Sequence, residues 1–246
     1  MRLPVALAVS LSIAGSLVGA GSEPVSAAAS SAPAATAPAA TSAAETATWI
    51  ETTARAFEGA QALDRTVLRL ALNAAICARD AGAVVNDRLL TVIDYSKAST
   101  TPRLWVLDLE QPRVLFEELV AHGQGSGDNY ATRFSNAEGS HQTSLGLFRT
   151  ADTYVGSNGY SLRLDGLEPG VNDRARDRAI VVHGAPYVSD ASVKALGRLG
   201  RSHGCPALRQ AIARTVIDTI KQGSLVFAYY PNQQWLKGSR FLNGCS

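Results

Sequence analysis

The sequence has few charged residues and no cluster of one sign. Only 18% of its 246 residues are charged, the formal net charge is +2, and no block of Lys and Arg occurs. Proteins that bind the phosphate backbone of nucleic acids use such basic clusters, so nothing indicates a nucleic-acid partner. Internal repeats are also missing. The apolar content of 46% suffices for the core of one large domain or two small ones.

Long hydrophobic runs are confined to the N-terminus, since no later stretch approaches the roughly 18 apolar residues of a membrane span. Residues 1–27 carry one positive charge, an almost wholly apolar or small run, and small-residue cleavage patterns. They predict a signal peptide, with an uncleaved anchor as the alternative. Residues 28–48 are mostly Ala, Ser, Thr and Pro and predict a disordered linker. We expect an exported protein of the periplasm or cell envelope, without a membrane span in the mature chain.

Cysteine is scarce, with three in the chain: Cys77, Cys205 and Cys245. Exported proteins tend to oxidise their cysteines in pairs, so an odd count indicates one free thiol. One arrangement pairs Cys77 with Cys245 and leaves Cys205 reactive. The other leaves three free thiols, with Cys77 buried in a helix. The sequence does not fix the connectivity, and both arrangements stay open.

From residue 49 onward the chain divides into a helical part and a larger part with strand patterns. Residues 49–82 predict a helical scaffold segment, because apolar residues recur at three- and four-residue spacing and Gly82 provides a stop. Residues 83–246 predict a mostly β domain of the α+β class. Its expected strands are 89–93, 103–109, 114–120, 145–148, 160–164, 179–182 and 225–230, the first three forming an antiparallel meander.

Two further features of this domain bear on function. A polar, Gly-rich loop covers residues 122–142, and loops of this length inside compact domains tend to be functional. A helix is expected to start at Pro206 and to end at Gly223. The loop does not continue into Gly-Lys-Ser/Thr, which excludes a phosphate-binding loop of that type.

The residues most indicative of chemistry are Ser202-His203-Gly204-Cys205, with His183-Gly184 upstream. A thiolate is the nucleophilic form of cysteine, and a neighbouring imidazole can take the thiol proton and later return it. This pairing predicts a thiol-dependent acyl-transfer site, with no cofactor and no metal.

The geometry expected around the sulfur follows from the same residues. A sharp turn at Gly204 would aim the N–H groups of His203, Gly204 and Cys205 at one spot, where they would stabilise an oxyanion. The N-terminus of a helix starting at Pro206 would lie near the sulfur and favour its thiolate form.

Two alternatives compete with a thiol site. His183, His203 and Cys205, joined by His122, have the chemistry of zinc ligands, but His-Gly-Cys is not a usual ligand spacing and no Cys-x-x-Cys accompanies it. Taken singly, each residue also suits a structural role, because a lone buried cysteine is usually an inert small hydrophobe. His122 and His141, both in the long loop, are expected to serve as hydrogen-bonding loop residues.

The motifs resemble those of the L,D-transpeptidase (YkuD-type) family of bacterial peptidoglycan, in particular the branch described as murein L,D-transpeptidase catalytic-domain proteins. The similarity lies in residues 179–189 (AIVVHGAPYVS) and 200–208 (GRSHGCPAL), and extends over about residues 87–230. Shorter matching segments are 94–96, 105–108, 121–123 and 142–146. The resemblance implies an L,D-transpeptidase-like β-sandwich catalytic domain.

The resemblance also implies roles for individual residues. Cys205 would be the nucleophile and His183 the base and acid, with the carbonyl of Gly184 orienting the imidazole. Ser202, His203 and Gly204 would shape the site and its oxyanion donors. Substrate-binding positions would be Thr143, Ser144, Gly146, Tyr187 and Arg201.

The implied partners are peptidoglycan stem peptides, and we expect a monomer. The enzyme would acylate on the third residue of a tetrapeptide stem, expel D-Ala, and pass the acyl group to an amine of another stem. Carbapenems would acylate the same cysteine. The alternatives are an L,D-carboxypeptidase that hydrolyses the same bond and a non-catalytic wall-binding module.

Three departures from the family pattern stand out. The spacing between His183 and Cys205 is a few residues longer than the commonest one. The Arg or Asn usually found two residues after the cysteine is replaced by Ala207, for which Arg209 is either a substitute or a solvated helix residue. No separate peptidoglycan-binding repeat is present, so targeting would rest on the catalytic domain.

Overall fold

The described chain starts with a capped helix. The structure, a computed structural model, describes residues 42–60 and 62–245, so the predicted signal peptide lies outside the described residues. Helix α1 spans Ala43–Ala56, and Ser42 and Glu45 form a capping box at its start. The predicted linker is therefore wrong over residues 43–48, where alanine supplies high helix propensity and the capping box satisfies the first N–H groups.

Helix α2, Arg65–Asp80, confirms the predicted apolar periodicity. The carboxylate of Asp64 caps it by accepting hydrogen bonds from the next turn, and one face of the helix is buried in the core. Arg69 on α2 makes a two-pronged ion pair with Glu51 on α1, at 2.7 and 2.9 Å. The two helices thus contact each other, and both precede the first strand in the chain.

Nine strands within the described residues form one hydrogen-bonded sheet, in the order β3-β2-β1-β9-β5-β6-β7-β8-β4. Most neighbours are antiparallel, whereas β1–β9 and β7–β8 are parallel. The bounds are β1 Leu89–Asp94, β2 Leu104–Asp108, β3 Arg113–Glu118, β4 Val120–Ala121, β5 Gly146–Gly156, β6 Gly159–Gly166, β7 Val181–Ala185, β8 Ala207–Arg209 and β9 Leu225–Tyr229. The meander β1-β2-β3 and the mostly β, α+β class are confirmed.

Three further helices complete the described chain: α3 Asp190–Leu196, α4 Gln210–Ile220 and α5 Gln233–Gly238. The helix expected to start at Pro206 starts instead at Gln210, because residues 207–209 extend as β8 and hydrogen-bond to β7. Helix α4 then lies on β7: a Cβ at Gly184 would come within 2.9 Å of Ala213 Cβ. Among the described residues, no helix combines the length and hydropathy needed to cross a membrane.

The open question of cysteine pairing is answered by the structure. Cys77 at the end of α2 and Cys245 near the C-terminus form a disulfide, and Cys205 is a free, buried thiol. The two bonded cysteines are 168 residues apart in sequence. A cross-link closing so long a loop typically stabilises a fold by about 2–4 kcal/mol. It also leaves a single sulfur available for chemistry.

Candidate active site

The parallel pair β7–β8 brings the two histidine- and cysteine-bearing segments together. His183 is central in β7, where it pairs in register with Ser161 of β6 on one side and with Ala207 of β8 on the other. Cys205 stands two residues before Ala207, at the entrance to β8. The chain thus delivers Cys205 to the strand that carries His183, although they are well separated in sequence.

His183 is held as a neutral base. Its side chain is buried, and Nδ1 lies 3.1 Å from the carbonyl oxygen of Gly184, the contact that the sequence predicts for orienting the ring. A proton on Nδ1 makes this hydrogen bond and leaves the Nε2 lone pair free. Burial lowers the pKa of His183, and the Gly184 carbonyl only partly opposes that shift.

Cys205 rests as a protonated thiol. Burial raises its pKa, while hydrogen bonding from the Val181 backbone N–H and the charge of Arg178 act in the opposite direction. The thiol donates a hydrogen bond to the carbonyl oxygen of Ala179, 3.6 Å away. No hydrogen bond among the described residues joins the sulfur to His183. The expected help from a helix N-terminus is also missing, because α4 starts only at Gln210.

The turn that carries the sulfur is built from its own polar groups. Ser202 Oγ donates to the carbonyl of Cys205 at 2.6 Å and accepts the N–H of Gly204 at 3.1 Å. Gly204 has a φ of +126°, which only glycine adopts readily. The N–H of Gly204, one of the three predicted oxyanion donors, is thus engaged within the turn in this structure. The N–H groups of His203 and Cys205 have no oxygen acceptor among the described residues.

A second layer holds this turn from behind. Thr143 Oγ1 accepts the N–H of Gly123 at 2.9 Å and donates to the carbonyl of Gly204 at 3.1 Å. The N–H of Ser202 donates to the carbonyl of His122 at 3.0 Å. Backbone groups of the long polar loop, together with Thr143, therefore hold the turn that carries Cys205.

The predicted substrate-binding positions separate into two groups. Thr143, Ser144 and Gly146 are buried, and both hydroxyls bond to groups inside the protein, so these positions are corrected to supports of the site. Arg201 donates to the carbonyl of Gly127 at 2.9 Å and to Asp128 at 3.0 Å.

Tyr187 is half-buried beside Cys205. Burial, followed by the charge of the Cys205 thiolate, raises the pKa of Tyr187 to about 12.

His203 and His141 form a stacked pair at the surface. Their rings are 4.3 Å apart with an interplanar angle of 9°, and His203 is exposed. The side-chain amide of Gln124 lies 2.8 Å from His141 Nδ1. His203 therefore joins the turn to the loop through this stacked pair. No group of three or more His, Cys, Asp or Glu side chains in the described part of the chain is arranged to hold a metal.

Sequence reasoning missed a buried cation beneath the loop. Arg103 is fully buried, donates to the carbonyl of Val120 at 3.0 and 2.8 Å, and donates to His122 Nδ1 at 2.8 Å. His122 Nε2 lies 3.4 Å from the carbonyl of Gly127, so the ring is neutral with its proton on Nε2. The available signal was an arginine directly before the apolar run of β2.

We expect His122 to make stability depend on pH. Burial, followed by the charge of Arg103, lowers its pKa to about 4. A depressed histidine pKa stabilises the fold above the unfolded value near 6.5, and the stabilisation disappears as the pH falls through the folded value. The loss should be about 3 kcal/mol between pH 7 and pH 4. Urea unfolding should show it in the wild type and not in His122→Asn; equal pH slopes would contradict it.

A model of the L,D-transpeptidase catalytic domain matches residues 59–229, which include His183 and Cys205. The chain belongs to this family. The match starts before α2, a helix that lies in the predicted helical scaffold segment of residues 49–82. A search of curated proteins finds no match.

Among solved structures, the complex of the L,D-transpeptidase LdtMt1 with imipenem is 20% identical, at a TM-score of 0.36 over 58% of this chain and 59% of that one. An L,D-transpeptidase from Mycobacterium smegmatis is 18% identical, at a TM-score of 0.36 over 58% and 59%. The helical cell shape determining protein Pgp2 from Campylobacter jejuni is 15% identical, at 0.39 over 63% and 55%. In each case, the match covers less than two thirds of the solved chain.

Proposed function

We propose that this protein is an exported cysteine acyltransferase that cross-links peptidoglycan by L,D-transpeptidation in the periplasm or cell envelope. The observation that carries the proposal is the free thiol of Cys205, on a turn that leads into the strand beside His183, within an L,D-transpeptidase domain. The composition of residues 1–27 supports export.

The reaction follows from the protonation states at rest. Substrate binding turns the sulfur from the Ala179 carbonyl towards His183 Nε2, since catalytic hydrogen bonds often tighten only in the substrate complex. His183 takes the thiol proton while the sulfur attacks the carbonyl of the third stem residue. The N–H groups of His203 and Cys205 stabilise the oxyanion. Collapse breaks the amide bond, and terminal D-Ala leaves with the proton from His183.

The second half reverses the roles. An amine of another stem attacks the thioester, His183 takes a proton from that amine, and the new amide forms as the carbon–sulfur bond breaks. The sulfur recovers its proton from His183, and the enzyme returns to its resting state. Hydrolysis by an L,D-carboxypeptidase differs only in that water replaces the amine. Tyr187, half-buried beside the sulfur, is the side chain best placed to contact the stem.

The test is incubation of the purified protein with disaccharide-tetrapeptide monomers, followed by mass analysis of the products. Transpeptidation should give dimers that have lost one D-Ala, and Cys205→Ala should give none. Tripeptides without dimers would show a carboxypeptidase instead. Equal binding of the wild type and Cys205→Ala to cell-wall sacculi, with no product from either, would show a wall-binding module.

A further inference from the structure

Arg178 is a half-buried arginine whose guanidinium hydrogen bonds all go to residues 135–144, the end of the long loop and the two residues after it. Its Nη1 donates to the carbonyl of Ser135 at 2.7 Å and to Ser144 Oγ at 2.5 Å. Its Nη2 donates to the carbonyl of Gln142 at 2.7 Å and to Ser140 Oγ at 3.2 Å. None of these partners is a carboxylate, and Arg178 has no salt bridge among the described residues. Its positive charge is therefore not neutralised by an acid.

This guanidinium lies directly behind the turn that carries Cys205. A Cβ built on Gly204 would come within 3.5 Å of Arg178 Nη2 and within 2.9 Å of the Gln142 carbonyl. The residue after Arg178, Ala179, supplies the carbonyl that accepts the Cys205 thiol. Ala179 has a φ of +52°, a left-handed conformation that is unfavourable for an alanine. One short segment thus contacts the turn through both a side chain and a strained backbone.

Electrostatic coupling between the two side chains agrees with this placement. The charge of Arg178 acts to lower the pKa of Cys205, although burial dominates and leaves that pKa raised. In return, the Cys205 thiolate acts to raise the pKa of Arg178, where burial again dominates. The guanidinium therefore offsets part of the cost of ionising a buried sulfur.

Two other arginines near the site are paired with acids. Arg209 makes a two-pronged ion pair with Glu118, at 2.9 and 2.8 Å. Its partly exposed side chain lies at the end of β8, so the expected exposure holds while its charge is paired with an acid. Arg201 binds Asp128. Ala207 stands where the family pattern has an Arg or Asn. The unpaired guanidinium next to the Cys205 turn comes instead from Arg178, which precedes the turn in the chain.

We propose that Arg178 is a positioning residue for Cys205: it ties the loop segment 135–144 to the back of the nucleophile turn and supplies an unpaired positive charge beside the sulfur. The inference rests on the proposed function for the use made of the thiolate. Ionisation of the sulfur can nevertheless be measured without any stem peptide. The failure of one proposal is therefore distinguishable from the failure of the other.

The experiment is alkylation of the disulfide-bonded protein with iodoacetamide from pH 6 to pH 10.5, followed by intact mass. Cys205 is the free cysteine, so one adduct reports one sulfur. Arg178→Gln should react roughly tenfold more slowly at pH 8, with its rising limb moved to higher pH. Arg178→Lys keeps the charge and should stay within about threefold of the wild type. The matched control is Arg176→Gln, which removes an exposed guanidinium bound to Asp165 and Asp152 and should leave the profile unchanged.

The outcomes divide clearly. An Arg178→Gln profile that coincides with the wild type overturns the proposal. So does an Arg178→Lys profile displaced as far as that of Arg178→Gln, because loop packing alone would then account for the effect. If Arg178→Gln does not fold, as judged by thermal melting, the Arg178→Lys profile decides: an unmoved rising limb supports the charge role, and a displaced one overturns it.

Discussion

His183→Gln is expected to slow acylation of Cys205 by imipenem about 10²- to 10⁴-fold, the usual contribution of a positioned general base. The need for a base is acute in this site because burial raises the pKa of the Cys205 thiol and leaves little thiolate at neutral pH. Glutamine keeps the polarity and approximate size of histidine but cannot take the proton. Imipenem is a suitable probe because it is a carbapenem, the class of compound that the family resemblance implies will acylate this cysteine.

The pH profile tests the same assignment independently. Burial lowers the pKa of His183 below its ordinary value of 6.5, so the imidazole is neutral at pH 7 and stays a base until the pH falls below 6.5. Wild-type acylation should therefore be level from pH 8 to pH 6.5 and decline at lower pH. In His183→Gln the level region should disappear, because the remaining reaction goes through the thiolate, whose fraction falls steadily as the pH falls below the raised pKa of the thiol. Time courses of intact mass give both the rates and the profile.

Two reference variants frame this result. Cys205→Ala should form no adduct and sets the baseline. His203→Gln should stay within about threefold of the wild type, because His203 is an exposed ring stacked on His141 and is not a base. A large loss in His203→Gln with little effect in His183→Gln would exchange the two roles and refute the proton path proposed above.

Periodic and local patterns account for what the sequence could predict. Runs of apolar residues in the sequence correspond to the buried residues of the structure in three places. These are the β1-β2-β3 meander, α2, and the buried final strand β9. The approach of His183 to the Cys205 segment was inferred from motifs, and the β7–β8 pairing explains it physically. Short-range composition failed at residues 43–48, where the same alanines that suit a linker also suit a capped helix.

Long-range contacts account for what the sequence could not predict. Pro206 looks like a helix start, but hydrogen bonding to β7 draws residues 207–209 into a strand and removes the helix N-terminus from the sulfur. Gly204 looks like a free oxyanion donor, but Ser202 accepts its N–H in this structure. Arg178 is one of several arginines in its segment, and only the tertiary fold distinguishes it by bringing residues 135–144 onto its guanidinium.

Gly123→Ala is expected to lower the acylation rate about 100-fold, although residue 123 lies far from the Ser-His-Gly-Cys motif in sequence. Its φ of −68° suits any residue, so the effect is purely steric. A Cβ at this position would collide with the His141 carbonyl and come within 2.8 Å of Gly204 Cα and 2.9 Å of Gly204 N. These are backbone atoms that cannot rotate away. The nucleophile turn must therefore shift, and displacements of about 1 Å can cost two orders of magnitude in rate.

The matched control is Gly59→Ala, where an added Cβ meets nothing within 4 Å and the rate should stay within about twofold. Imipenem acylation followed by intact mass measures the rate, and thermal melting separates a displaced turn from a general loss of fold. A folded Gly123→Ala that acylates as fast as Gly59→Ala would mean that the turn tolerates movement. The Thr143 bridge between Gly123 and Gly204 would then not set the position of Cys205. That bridge can hold the sulfur in place only if the backbones of the two glycines stay in contact.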